Sequence, residues 1–518
     1  MTRSAALAPA ALGLMLLFAG WSLLAMALAD TRVIAGPIQV AGWLAGNAGL
    51  IGRALAVTLT NAAIGFLAGN LAAILLAGIA LVWPRLTHAV SGLALVVFCL
   101  PLIATGPILR VLLGPGEAPQ IVLAALAVYY TTLIPLMTGL RATPAVWLDL
   151  VRSYGRGRLA ELIHVRARAG LPYLFAGLQI AAPAAFLGAM VGEFTGAERG
   201  LGVLTIRFTR SMDVSALWAI ALLAAAVSMV AYGAIGALAR AVLHDRPPVI
   251  LAPPGIGTGA GFGRAVHAAL LVVLVLAVWW GAMEALDLNR FFAKRPPDVL
   301  AAMIRGPDAA ATRGALFEAV AETAVFLLPG YLAGLGLGAG MAILLVLLPG
   351  LAALILPVAV ALRSIPIVTT APLIVLFLGR GAAGTITLVA VMVFFPTLVA
   401  CLHGLRQAPG QILDVFQTYA SGPLRQMLHV RLPAMLPALF AAARMSVPAA
   451  ILAVTVVEWL TTGRGLGSLM ALSASTSNYN LLWAAVVVVT AISTICYAAV
   501  AMLEARILAI YAPEQMRR

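Results

Sequence analysis

The chain is 518 residues long, 63% apolar and only 10% charged, with a formal charge of +14. That balance excludes an ordinary soluble domain, and recurring apolar runs of about 20 residues are long enough to cross a hydrocarbon core of about 30 Å as helices. The short alternating segments of a β-barrel are not visible, and the lone lysine, Lys294, excludes a phosphate-binding Gly-Lys-Ser/Thr loop.

In chain order, the first apolar segment covers residues 5–29. Arg3 before it and Ala27-Leu28-Ala29 before Asp30 have the look of a signal peptide. The run is longer than an ordinary signal core, however, and the matching segment at 264–286 lies too far along the chain to be cleaved as one. A retained helix is therefore expected. Further spans are expected at 58–83, 87–113, 119–140, 173–195 and 215–243. The stretch 245–263 is rich in Pro and Gly and reads as a flexible cytoplasmic linker. The second half offers 264–286, 323–348, 350–378, 384–405, 437–458 and 481–507. The expected fold is all-α and polytopic, with about twelve transmembrane helices in a first domain, 1–244, and a second, 264–518.

The two halves are copies of one domain. A shift of 265 residues aligns them without a gap from about residue 58 to residue 240. Thr58 falls on Thr323, Pro101 on Pro366, and Gly139-Leu140-Arg141 on Gly404-Leu405-Arg406. Glu193 falls on Glu458, and Arg199-Gly200-Leu201-Gly202 on Arg464-Gly465-Leu466-Gly467.

Arginine sets the expected orientation. The loop after the fourth span carries Arg141, Arg152, Arg156, Arg158, Arg166 and Arg168, and the loop after the tenth carries Arg406, Arg425 and Arg431. Both loops are expected on the cytoplasmic side, which accounts for the positive charge without nucleic acid. Six spans separate them, so the repeats run parallel, related by an axis along the membrane normal, and both termini are cytoplasmic. The segments 30–57 and 287–322, with 196–214 and 461–480, then lie outside and offer surfaces to a partner.

The two loops carry the functional signal. Each spans about thirty residues, far more than a connection needs. Each opens with a helix-compatible stretch, Asp149 to Gly155 or Asp414 to Ala420, followed by a break and a second short helix ending near Pro172 or Pro437. Leu150, Val151, Tyr154 and Leu159 give the first loop an apolar face, which needs either a membrane surface or a protein groove.

The pattern in these loops resembles the cytoplasmic signature of ATP-binding-cassette importer permeases: Glu-Ala-Ala, three residues, Gly, nine residues, Ile, one residue, Leu-Pro. The first copy reads Asp149, Tyr154, Gly155, then Val165 and Arg166, keeping the Gly but not Leu-Pro. The second reads Asp414, Tyr419, Ala420, then Val430-Arg431-Leu432-Pro433, keeping Leu-Pro but not the Gly. Leu362-Arg363-Ser364-Ile365-Pro366, Ala371-Pro372-Leu373 and Gly465-Leu466-Gly467 look like the nitrate, sulfonate and taurine group of these permeases. The resemblance implies the type I importer permease fold in a bacterial inner membrane. It also implies a coupling helix in each loop that docks on one of two separate ATPase subunits, which hold the ATP and Mg. An extracytoplasmic solute-binding protein would deliver a small solute of the nitrate, sulfonate, taurine or vitamin-precursor class. The chain itself is then a transporter subunit, with no catalytic residues and no cofactor of its own.

Single residues carry further expectations. Arg363 lies within an apolar segment, where a charge costs about 2.5–3.5 kcal/mol, and Pro366 interrupts the helix beside it. The pair reads either as an anion site on the pathway or as a structural arginine at a helix break. Glu193 and Glu458 are pathway candidates by their intramembrane position, but their symmetry beside Arg199 and Arg464 favours a local ion pair or a gate brace. His164 and His429 lack metal spacing and are expected to pack at the ATPase interface. The glycines between Gly330 and Gly340 are expected to permit close helix packing, and Cys99, Cys401 and Cys496 to be small core residues. A twelve-helix secondary transporter also has parallel halves, but lacks a reason for the paired loops.

Overall fold

The computed structural model describes residues 15, 18–28, 34–243, 262–352, 355, 367–379 and 381–511. The first half runs through α1 (Phe18–Ala27), α2 (Pro37–Gly46), α3 (Ala48–Val82), α4 (Thr87–Phe98), α5 (Leu102–Leu113) and α6 (Ala118–Arg141). It continues with α7 (Ala145–Ser153), α8 (Arg158–Glu161), a π-helical turn at Leu162–Arg166, α9 (Ala167–Phe194), α10 (Leu201–Ser211) and α11 (Val214–Val242). The second half repeats it as α12 (Phe262–Ala285), α13 (Pro296–Ile304), α14 (Ala309–Leu347), α15 (Ile367–Leu378) and α16 (Ala382–Arg406). There follow α17 (Gly410–Thr418), α18 (Pro423–Gln426), a π-turn at Met427–Arg431, α19 (Leu432–Val457), a further π-turn at Glu458–Thr462, α20 (Gly465–Ser475) and α21 (Tyr479–Tyr511). No strand occurs among the described residues.

Nine helices among the described residues are long and apolar enough to cross a membrane, or ten if a bent pair counts as one span. The expected span 5–29 is described only around α1, and the expected span 350–378 only at its two ends. Arg363, Pro366 and most of the 245–263 linker lie outside the described residues.

Three expectations about helix boundaries are corrected. The span expected at 87–113 is two helices bent by 94° at Cys99–Pro101. Pro101 has no N–H to continue the ladder and disfavours helical geometry at Leu100. Its carbonyl instead accepts from the amides of Ala104 and Thr105, starting α5 in a new direction. Secondly, the loop helices do not end near Pro172 and Pro437, because both prolines lie inside continuous helices, α9 and α19. Both helices are packed along their length against neighbouring helices, which hold them continuous through the one N–H that each proline removes. Finally, α3 and α14 start at Ala48 and Ala309, well before the expected 58 and 323. Hydropathy stops at Arg53 or at Glu318 and Glu322, whereas the helical ladder needs only that charged turns stand clear of hydrocarbon. At 1.5 Å per residue α3 is about 52 Å long and must project or tilt.

In each half α3 or α14 lies across α6 or α16, which in turn packs on α9 or α19. Small residues set the distance. Gly330, Gly334 and Gly338 form one face of α14, and a Cβ on any of them would meet Val389, Ala390, Val393, Phe394 or Thr397 of α16. Gly336 and Gly340 face open space. Gly65 and Gly69 repeat the arrangement against Ala124 and Ala125 of α6.

The halves are interlocked. α5 packs on α19 and α20 of the other half, burying Ala104 and Ile108 in a core with Val447, Ile451, Leu466 and Met470. In return α15 packs on α9, α10 and α11, where Leu373 meets Leu217 and Ala221. Cys99 and Cys401 are buried as expected, but Cys496 is exposed on α21.

Candidate functional site

Two features recur at the same register in both halves and lie at opposite ends of the helices. The first is the pair of loop helices. Strong amphipathicity makes α7 and α17 helices in spite of their short length, and Pro144 and Pro409 start them where an N–H would be unpaired in any case. Their apolar sides remain uncovered: Val146, Trp147 and Leu150 on α7, and Ile412 and Val415 on α17, are exposed. Tyr154 and Tyr419 are 77% and 80% exposed at the two tips. Asp149 and Asp414 stand one turn before them.

After each tip the chain turns through a left-handed residue, Gly155 at φ 68° and Ala420 at φ 50°. Only left-handed geometry reverses the helix within so short a turn, which explains a glycine there and makes Ala420 strained. The chain then re-enters α8 or α18, and the π-turns contain Val165 and Arg166 or Val430 and Arg431, with Leu432 and Pro433 opening α19. Arg166 donates to the Leu140 carbonyl at 3.4 Å, tying the first loop back to the end of α6, and Val430 is buried. The exposed His164 and His429 each place Nδ1 at 3.1 or 3.0 Å from the carbonyl one turn earlier, Ala160 or Arg425.

The loops differ in what braces them. In the first, Arg152 bridges α7 and α8, with Nε at 2.8 Å from Glu161 Oε1 and Nη1 at 3.5 Å from Asp149 Oδ1. Its hydrogen bond to Glu161 raises the Arg152 pKa above the usual arginine value. The second loop has Gln417 and Gln426 at those positions, and Gln426 donates instead to the Ser421 carbonyl at 3.1 Å.

The second recurring feature surrounds Glu193 and Glu458, both almost fully buried. The Thr58 hydroxyl donates to Glu193 Oε1 at 2.7 Å, the Gly202 N–H donates to Oε2 at 2.6 Å, and the Leu201 N–H donates to Thr58 Oγ1 at 2.9 Å. The second half repeats every link: Thr323 to Glu458 at 2.8 Å, Gly467 to Glu458 at 2.8 Å, and Leu466 to Thr323 at 3.0 Å. The expected ion pairs with Arg199 and Arg464 are not formed among the described residues. A buried carboxylate is satisfied here by a hydroxyl and by amides at the start of α10 or α20. Gly200 and Gly465 have positive φ and lie so close that a Cβ on either would collide with the carboxylate.

One buried charge pair is absent from the sequence reading. Arg444, in the middle of α19, has Nε 2.9 Å from Glu504 Oε2 of α21 and its guanidinium 5.9 Å from the Tyr497 ring. The contact is an ion pair without an in-line hydrogen bond at Nε. Tyr497 lies beside Tyr130 of the first half, whose ring stacks on Phe98. The signal was available, since Arg444 and Glu504 are charges inside apolar runs; their pairing across 60 positions was not. The first half has neutral Gln179 and Ala239 at the equivalent places.

Comparison with known proteins agrees with this architecture. The family described as binding-protein-dependent transport system inner membrane component matches twice, over residues 69–244 and 334–509. A probable ABC transporter permease protein of Haemophilus influenzae is 37% identical over 168 residues, 32% of this chain and 69% of that protein. The formylaminopyrimidine transport permease of Halalkalibacterium halodurans is 33% identical over 113 residues, 21% of this chain and 44% of its own length. A putative aliphatic sulfonates transport permease of Bacillus subtilis is 27% identical over 184 residues, 34% and 67% respectively. With two matches that together span more than half of its length, the chain belongs to the binding-protein-dependent transport system inner membrane components, the multi-pass permeases of ABC importers.

Proposed function

We propose that the chain forms, by itself, both lobes of the translocation pathway of an ATP-driven importer, with 1–244 and 264–518 as the lobes and 245–263 as their join. Members of this family work with ATPases and solute-binding proteins. Here α7 and α17 each engage one ATPase subunit, so two such subunits bind, with ATP and Mg held on them. The observation that carries this reading is the pair of exposed, apolar-tipped helices, α7 and α17, set at one interval in both copies. Short helices of this kind fit protein grooves, where the buried apolar face supplies affinity. The arginines beside them put this face in the cytoplasm, as well as both termini.

The opposite face receives a small solute from an extracytoplasmic binding protein. Relatives named for aliphatic sulfonates and formylaminopyrimidine support that solute class, and Arg363 beside Pro366 agrees with an anion on the pathway. Glu193 and Glu458 border the pathway as braces, because both oxygens of each are already hydrogen-bonded. The test is co-purification of the chain with its ATPase. Tyr154→Glu and Tyr419→Glu together should abolish association and uptake, and either alone should weaken both. Uptake that persists without the ATPase and collapses with the proton gradient would establish a secondary transporter instead.

A further inference from the structure

The repeat exposes a difference at the face opposite the loops. In the second half Glu322, the residue before Thr323, accepts a hydrogen bond from the Gly465 N–H at 2.8 Å. The equivalent residue in the first half is Val57, before Thr58, and it has no oxygen to offer Gly200. In its place is a cavity of about 310 Å³ lined by Val57, Asn61, Arg110, Glu117, Glu198 and Arg199. Asn61 follows Val57 by one turn of α3 and so lies on the same face. It is 1% exposed, and its Oδ1 has no hydrogen-bond partner.

The equivalent positions of the second half do not repeat this lining. Phe326 replaces Asn61, Val375 replaces Arg110, Ala382 replaces Glu117 and Gly463 replaces Glu198. Arg110 lies along Gly196, where a Cβ would come within 3.0 Å of its Nε, so this glycine is what admits the guanidinium. Among the described residues, none of Arg110, Arg199, Glu117 and Glu198 forms an ion pair. Two guanidinium groups are thus ready for an anion, and a buried amide oxygen flanked by carboxylates is ready for a donor. A buried acceptor left bare is unfavourable unless something donates to it.

We propose that this first-half cavity binds a small organic anion that also carries an N–H or O–H donor, best an ammonium. The anionic group takes the place against Gly200 that the Glu322 carboxylate takes against Gly465, and the donor reaches Asn61 Oδ1. At the equivalent place in the second half the Glu322 carboxylate occupies this position itself. This rests on the permease reading above and names the solute class for it.

The test titrates the full chain in nanodiscs with 2-aminoethanesulfonate, 3-aminopropanoate and ethanesulfonate. The two amino compounds should bind, and ethanesulfonate about tenfold more weakly or not at all. Val57→Glu supplies the carboxylate of the second half and should abolish binding. Arg199→Gln, at an exposed position, should weaken it about tenfold and decides the matter if Val57→Glu does not fold. The site is overturned if none of the three probes binds, if ethanesulfonate binds as well as the amino compounds, or if both variants bind like the unaltered chain. Uptake in proteoliposomes separates the two claims. ATPase-dependent uptake indifferent to both substitutions removes this site alone, whereas uptake that needs no ATPase removes the permease reading whatever the probes do.

Discussion

Ala420 shows how far one residue follows from its neighbours in the repeat. It occupies the left-handed position that Gly155 fills in the other loop, at a cost of about 1–2 kcal/mol for a residue with a Cβ. Ala420→Gly should relieve about 1 kcal/mol of that strain and slow hydrogen exchange of the amides around Ser421. The sequence put Ala420 at a glycine position; only the backbone angle shows that the conformation survives the loss of glycine. Arg444 and Glu504 give the opposite lesson. Breaking a buried pair leaves one charge stranded, so Arg444→Leu or Glu504→Leu should each destabilise by about 3–5 kcal/mol, while the double substitution should cost much less. Thermal unfolding of the four forms in detergent reads the difference as a coupling energy.

At the level of elements, long apolar helices are legible from sequence because hydropathy is a sum over one turn after another. α6 and α16, expected at 119–140 and 384–405, are found at Ala118–Arg141 and Ala382–Arg406. Breaks and extensions are less legible, because they depend on where freed carbonyls and charged turns find partners. The bend at Cys99–Pro101 follows from proline, yet prolines 172 and 437 leave their helices unbroken. The difference is tertiary support, not residue type. Close approach of elements also has a register. Gly334 faces the Ala390 carbonyl at a distance that leaves no room for a larger side chain, whereas Gly336, two residues on, faces open space. Gly334→Val should therefore destabilise by about 1–3 kcal/mol, and Gly336→Val should be near neutral, as measured by thermal unfolding in detergent.

For the whole molecule, the contacts that α5 and α15 each make with the opposite half matter more than the linker that joins them. α5 is buried in a core made mostly of second-half residues, and α15 lies against α9, α10 and α11. Apolar burial on that scale should hold the lobes together without covalent connection. A protease site inserted between residues 245 and 261 and then cut should leave two fragments that co-migrate in detergent by size-exclusion chromatography. Separation of the fragments would show that the linker, not these contacts, keeps the lobes paired. The lobes are also unequal. The Arg444–Glu504 pair belongs to the second, and the Arg152–Glu161 brace and the open polar cavity to the first.

The all-helical membrane class, the duplication, the two loop helices and the family to which they point are all legible in the amino-acid order. Each of these is carried by local composition or by a fixed interval along the chain, and neither depends on the path between. It took the packed fold to show that Glu193 and Glu458 bond to Thr58 and Thr323 and to backbone amides in place of arginine. It alone paired Arg444 with Glu504, set α5 and α15 against the opposite lobe as well as their own, and opened a cavity beside Val57 where Glu322 closes the other half. Those outcomes turn on which groups the packing brings together, from within a turn to across more than a hundred residues, and a buried polar group takes whichever partner the packing delivers.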